Sequence, residues 1–306
     1  MRQVLVVLLL LAPAGSLSAQ SPVYFADPKL KELVEMELWV TDPTPADMLG
    51  LTFLDASGLG IADLTGLEYA LNLRTFECIH SQLTSLAPLA GLVNLESLAF
   101  NENNISDLSP LAGLTDLRSL ILHDNEISDI SPLAGLSKLE MLDLHANQIS
   151  SASAVSGLTS LETLILEGNQ ISDISPLSGL NGLRALRLGI NEISDLSPLS
   201  GLSNLETLSV YANQISDLSP LSSLSGLTSL QLSGNLISDI AALASLTSLS
   251  YLDLANNPLS SDACVVYVPQ ILANNPGLHL QYDPCTSRRL SISATAGGSV
   301  VSPGEG

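Results

Sequence analysis

Large rings are nearly missing from this sequence: aromatic residues are 4% of 306, and there is 1 tryptophan. A core built on aromatic clusters is thereby excluded, so the 46% hydrophobic content has to pack through aliphatic side chains. Basic residues are also scarce, 10 Lys and Arg against 31 Asp and Glu, which gives a formal net charge of -21. Such a chain repels phosphate backbones and anionic lipid surfaces, which excludes nucleic acid as a partner and suits the solvated surface of an exported protein. Long apolar runs are limited to Val4–Ala12, too short to span a bilayer. Catalytic signatures are lacking as well: no G-x-S-x-G, H-E-x-x-H, phosphate loop or C-x-x-C occurs. The chain therefore reads as non-enzymatic, with no cofactor.

What is present is one phrase repeated. Residues Leu161–Leu180 read LETLILEGNQISDISPLSGL, and the phrase restarts at Leu183, Leu205, Leu227 and Leu249, and backwards at Leu139, Leu117, Leu95, Leu73 and Leu51. The period is 22 residues over ten copies. A unit this short makes one strand, one turn and one brief helical return, and cannot bury its own leucines. Stacked units share a continuous core instead, so the three hundred residues form one array with parallel strands. Ten strands about 4.8 Å apart line a curved face about 45 Å long.

Inside the unit the apolar positions run L-x-x-L-x-L, then two variable residues, Asn, a variable residue and Ile. That pattern resembles the leucine-rich repeat, and the tail SDISPLSGL resembles the internalin-type class of secreted bacterial proteins. The resemblance covers about residues 23–285 and implies an α/β solenoid dominated by β structure. Its features would be a horseshoe with a concave parallel sheet, convex 3-10 or short helical turns, and a helical N-terminal cap. It also implies interaction rather than catalysis.

Three columns carry the turn chemistry. Asn103, Asn125, Asn147, Asn169, Asn191, Asn213, Asn235 and Asn257 recur after the strand. An amide there can donate and accept at once, satisfying backbone groups that stacking would leave buried and unpaired. Ser-Pro-Leu recurs at 109, 131, 175, 197 and 219; the serine hydroxyl is read as the helix cap and the proline as the first helical residue. Asp63, Asp107, Asp129, Asp173, Asp195, Asp217 and Asp239 precede these starts. They are read as acceptors for turn N–H groups rather than a calcium row, because the local D-x-D density and glycine of calcium loops are missing. One unit departs, with Ser151 and Ala154 in place of Asp and Pro, and a looser turn is expected there.

The ends break the period. Residues 1–19 carry Arg2, an apolar stretch and small residues up to Ala19, as a secretory signal peptide does. Residues 20–50 are read as an N-terminal cap, with Asp27 and Pro28 opening a helix and Thr44-Pro45 a second turn. Repeats are assigned to 51–270 and an exit cap to 271–289. Cys264 and Cys285 bracket the last apolar turn of an exported chain and are predicted to be joined, with Cys78 a buried free thiol. Residues 290–306 alternate like the first strands of the small all-β domains that follow such arrays, or form a loose tail.

Ligand-encoding residues have to lie where the repeat varies, on the strand positions between the leucines. One strand column holds Glu77, Ile121, Asp143, Ile165, Arg187 and Gln231, and the positions just beyond it hold Ile79, His80, Asn101, Glu102, His123, Asp124, His145, Glu167, Ile190 and Tyr211. This mixture of apolar, aromatic and charged groups is read as a surface for a protein or glycan partner, on a monomer that does not insert into membranes. No metal is assigned. His123 and His145 in neighbouring strands, with Asp143 and Glu167 nearby, are the alternative, since such a group could hold zinc. A second functional class is a recognition or spacer segment of a larger secreted hydrolase.

Overall fold

Three residues of every repeat pair in register with three residues of the next. The computed structural model describes residues 21–285, so the leader read at 1–19 and the segment read at 290–306 lie outside the described residues. The strands are β1 (Phe53–Asp55), β2 (Thr75–Glu77), β3 (Ser97–Ala99), β4 (Ser119–Ile121), β5 (Met141–Asp143), β6 (Thr163–Ile165), β7 (Ala185–Arg187), β8 (Thr207–Ser209), β9 (Ser229–Gln231), β10 (Tyr251–Asp253) and β11 (His279–Gln281). They form one 11-stranded sheet in chain order. Pairing is parallel throughout, with Leu120 opposite Leu142 and Leu142 opposite Leu164. The fold is a β-dominated leucine-rich repeat solenoid: the strands line its concave face and 3-10 turns such as Ser109–Leu111 and Ser131–Gly135 its convex face.

Ten strands follow from the period, but β11 does not. It pairs with β10 although Leu280 lies opposite Leu252, a step longer than one period. The extra residues wind into a π-helical turn, Ala263–Tyr267, and α2 (Val268–Asn274), which replace the usual 3-10 return. The alternation Leu278-His279-Leu280 was the available signal. Cys264 and Cys285 are joined across this exit structure, with Cα atoms 6.1 Å apart.

Leucine stacking makes one core from end to end. Leu98, Leu120, Leu142, Leu164, Leu186 and Leu208 are all fully buried. The few rings are used sparingly: Phe76 and Phe100 pack edge to face in neighbouring repeats, with centroids 5.0 Å apart. Cys78 is buried and free; burial pushes its thiol up from the ordinary range, which makes it unreactive.

The entrance cap is the helix read from the sequence. In α1 (Pro28–Leu38), Asp27 accepts from Lys29 N–H, Pro28 opens the helix, and Leu30, Leu33 and Val34 are buried. The other Asp27 oxygen accepts from Ala62 N–H at 2.9 Å, tying the cap to the first repeat. Thr44 and Asp47 bond reciprocally at the second turn. Among the described residues, no helix is long and apolar enough to cross a membrane.

The asparagine column is a hydrogen-bonded ladder. Asn147 Oδ1 accepts from Ile127 N–H at 3.0 Å, while its Nδ2 donates to the carbonyls of Leu122, Leu144 and His145 at 3.0–3.2 Å. The same pattern recurs at Asn125, Asn169, Asn191, Asn213 and Asn235.

The serine caps require a correction. Ser109 is the first residue of its 3-10 turn, and no side-chain cap comes from the position before it. The cap is Asp107: its Oδ1 accepts from Ser109 N–H at 2.8 Å and its Oδ2 from the Ser109 hydroxyl at 2.9 Å. A carboxylate two residues upstream reaches both donors, whereas the serine hydroxyl is already spent on it. These bonds hold the carboxyls of Asp107, Asp129, Asp173 and Asp195 below their ordinary range, the backbone N–H being the larger cause. In the departing repeat Ser151 Oγ substitutes, and Ser153 N–H reaches it only at 3.3 Å.

Candidate functional site

Parallel register sets the concave face as columns of like positions one repeat apart. Ile121 lies opposite Asp143, Asp143 opposite Ile165, Ile165 opposite Arg187, and Arg187 opposite Ser209. Neighbours at strand spacing cover each other's flanks, so most of these side chains are half-buried. Ile165 and Tyr211, both read as part of a binding surface, are of intermediate exposure. Two residues of the predicted surface are buried outright, Asn101 at 7% and Asp143 at 8% exposure. Glu77, Ile79, Ile121, His123, His145, Glu167 and Gln231 are half-buried, whereas Arg187 is exposed.

Four of the predicted residues occupy a different place from the strand columns. His80, Glu102, Asp124 and Ile190 sit in the turn after the strand with φ of 52°, 57°, 54° and 53°. That conformation is ordinary for Gly168 and Gly234, which hold it in other repeats. For a β-branched side chain it costs about 1–3 kcal/mol. Ile190 nonetheless holds it, with 52% of its surface exposed.

Next to Ile190 the strand column is vacant of side chain. A Cβ on Gly189 would lie 2.2 Å from Tyr211 Cε1, so the tyrosine ring lies directly over the Gly189 backbone. The ring leans one repeat back along the array, and Ile190 N–H donates to Tyr211 C=O at 2.8 Å. The gap also lets Glu167 reach two repeats forward, where its Oε1 accepts from the Ser209 hydroxyl at 3.2 Å. Burial and the Glu167 carboxylate push the Tyr211 phenol above its usual range, with Arg187 pulling the other way. Beyond the ring lies an open depression of about 370 Å³, lined by Glu167, Tyr211, Gln231, Ser233 and Asp253. Gly189 and Ser233 were not singled out from the sequence; a glycine in an otherwise filled column was the one signal.

Cationic groups are largely committed elsewhere. Arg74 to Glu96, Arg118 to Glu140, Lys138 to Asp116 and Arg184 to Glu206 form pairs from one repeat to the next along the flank. Arg187 makes no ion pair among the described residues, so its charge faces the concave solvent.

The histidine alternative is brought together in part. The rings of His123 and His145 stack with centroids 4.2 Å apart. Asp143 and Asp124 lie against them, whereas Glu167 is turned to Ser209. The Asp column on the convex side spends its oxygens on the serine donors, as at Asp195 and Ser197.

Comparison with known proteins agrees with this architecture. Leucine rich repeat models match residues 115–171 and 203–259, and a two-copy leucine rich repeat model matches 159–201 and 181–223. No curated protein matches the chain significantly. Among solved structures, an internalin (InlF) of Listeria monocytogenes is 32% identical with a TM-score of 0.73, the match covering 88% of this chain and 86% of that one. Internalin C2 of the same organism is 35% identical with a TM-score of 0.56, over 75% and 95% of the two chains. The functional domain of InlJ from Listeria monocytogenes, which includes a cysteine ladder, shares the fold at 22% identity and a TM-score of 0.53, over 86% and 71%. With a tandem leucine-rich sheet in unbroken register and more than 30% identity along most of an internalin, the chain belongs to the internalin-type leucine-rich repeat proteins.

Proposed function

We propose that this chain is an exported or cell-surface, non-enzymatic binding module that grips a protein or glycan partner on its concave face, around Tyr211, Ile190, Arg187 and Glu167. The observation that carries this reading is Ile190. A left-handed backbone disfavours a branched side chain, and exposure gives it no burial in return. A side chain maintained against both is explained by what it meets from outside, and an inference from a strained residue to function runs in that direction. The Ile190 backbone N–H is bonded to Tyr211, whose half-buried ring borders a depression, and Arg187 on the same face is a cation without an ion pair among the described residues. These are the ingredients of an interface centre with a charged rim. The convex turns repeat nearly the same Ser-Pro-Leu words and cannot encode a particular ligand.

The test separates fold from recognition. With a partner isolated by pull-down or glycan array, Ile190→Gly keeps or raises thermal stability, because glycine adopts this φ freely. It weakens binding about tenfold, as does Arg187→Ala. The convex controls Ser178→Ala and Ser200→Ala leave binding unchanged. Loss of binding in the controls with full binding by Ile190→Gly would place recognition on the other face.

A further inference from the structure

A second group on the same sheet has the composition of a metal site. His123 and His145 lie one repeat apart, and their rings are nearly parallel at 15°. Asp143 Oδ1 accepts from His145 N–H at 3.1 Å and lies 3.0 Å from His145 Nδ1. One donor atom from each of His123, Asp143 and His145 can be chosen so that all lie within 4.8 Å of one another. Asp124 stands behind them, its Oδ2 2.8 Å from His123 Nδ1 and 3.4 Å from His145 Nε2.

We propose that His123, His145 and Asp143 bind one divalent transition-metal ion, zinc being the best match. Two imidazoles and one carboxylate are the three-protein-ligand set of an open zinc site, which keeps a fourth position for water or an incoming donor. Calcium and magnesium require more oxygen ligands than this cluster has, and they disfavour nitrogen. Zinc–ligand bonds of about 2.1 Å place tetrahedral donor atoms about 3.4 Å apart. Rotation of the two rings, which retain 21% and 36% side-chain exposure, closes the remaining gap. Asp143 is the fixed point, since its side chain is 11% exposed and held by a backbone N–H. Asp124 then orients a ring through the nitrogen that does not face the metal, as outer carboxylates do for metal-bound histidines. The net charge of -21 draws divalent cations toward the molecule. The metal also removes an awkwardness of the bare cluster, in which a nearly buried carboxylate has only a backbone N–H and an imidazole for company.

The measurement uses the full chain without an affinity tag, stripped of metal and titrated with zinc chloride against a chromophoric chelator at neutral pH. One equivalent binds, and the thermal midpoint rises with zinc because the ion binds the folded chain. His123→Gln and His145→Gln each weaken binding by more than about tenfold, and Asp124→Asn by about tenfold. Binding weakens in acid, since only neutral imidazole ligates. A His80→Gln, His279→Gln protein binds as the parent does, and calcium at the same concentration produces no shift. Imidazole NMR signals of the parent, read during the titration, assign the ion to His123 and His145 without relying on any variant. No saturable binding, a calcium response equal to that of zinc, or resonances of His123 and His145 that do not move would overturn the proposal.

Discussion

Asn147 shows how much one residue carries in this fold. Its amide meets one N–H and three carbonyls, drawn from its own turn and the one repeat before it. Water cannot replace it at 9% exposure. Asn147→Ala is therefore expected to lower the unfolding free energy by about 2–3 kcal/mol, the cost of leaving buried groups unpaired. Asn147→Asp keeps the acceptor but loses the donor and sets a carboxylate against three carbonyl oxygens, so it should cost at least as much. Urea unfolding followed by circular dichroism measures this, and an unchanged midpoint would mean that the ladder is passive. Gly189 is the opposite kind of residue, where having no side chain admits the Tyr211 ring and the reach of Glu167.

At the scale of an element, each convex turn is set by an aspartate and each end of the array by a cap. The carboxyls of Asp107, Asp129, Asp173 and Asp195 are lowered in the fold by the N–H and O–H groups they accept from. A lowered folded value means stability that is fully present above about pH 4, the unfolded carboxyl range, and is lost as pH falls through the folded value. Changing all four to Ser, as repeat 139–160 already has at Ser151, should flatten the acid side of a thermal-midpoint profile between pH 7 and pH 2. An identical acid limb in parent and variant would remove these turns as its source. At the exit cap, the Cys264–Cys285 bond closes a separation of 21 residues, and replacing both with Ser should cost about 3 kcal/mol. Mass mapping of the non-reduced protein should recover the peptide joining them, while Cys78, buried in the array, takes up alkylating reagent only after unfolding. A cross-link from Cys78 would contradict the assignment.

For the whole molecule, the controlling quantity is charge on one continuous core. Among the described residues, Arg74, Arg118, Lys138 and Arg184 sit in flank pairs between repeats, exposed and each contributing little to stability. The concave face keeps Glu167 and Asp253 beside the depression. A cationic partner should therefore bind less tightly as salt rises, since exposed charges are screened beyond about 8 Å at physiological ionic strength. Affinity measured by calorimetry from low to high salt checks this. Salt independence would shift the weight of recognition to Tyr211 and Ile190.

The period, the parallel register, the leucine core, the asparagine ladder and the capping helix at Asp27-Pro28 are legible in the sequence, because each is a local rule repeated from unit to unit or a short-range signature at one end. The Cys264–Cys285 bond is legible too, because the two cysteines bracket the last apolar turn. The rest depended on what neighbouring repeats do to each other's side chains. Asp143 and Asn101 read as surface and are buried, because strands at parallel spacing cover the flanks of a column. Serine and aspartate both read as acceptors at the turn, and only the aspartate reaches the N–H of the first turn residue, because geometry decides between two nearby oxygens. The eleventh strand lies outside the period, since the helical exit lengthens the last coil before β11 returns to the sheet. The stacking of His123 on His145 beside Asp143, and of Tyr211 over Gly189, is set by side-chain directions across strands, which spacing along a chain does not encode.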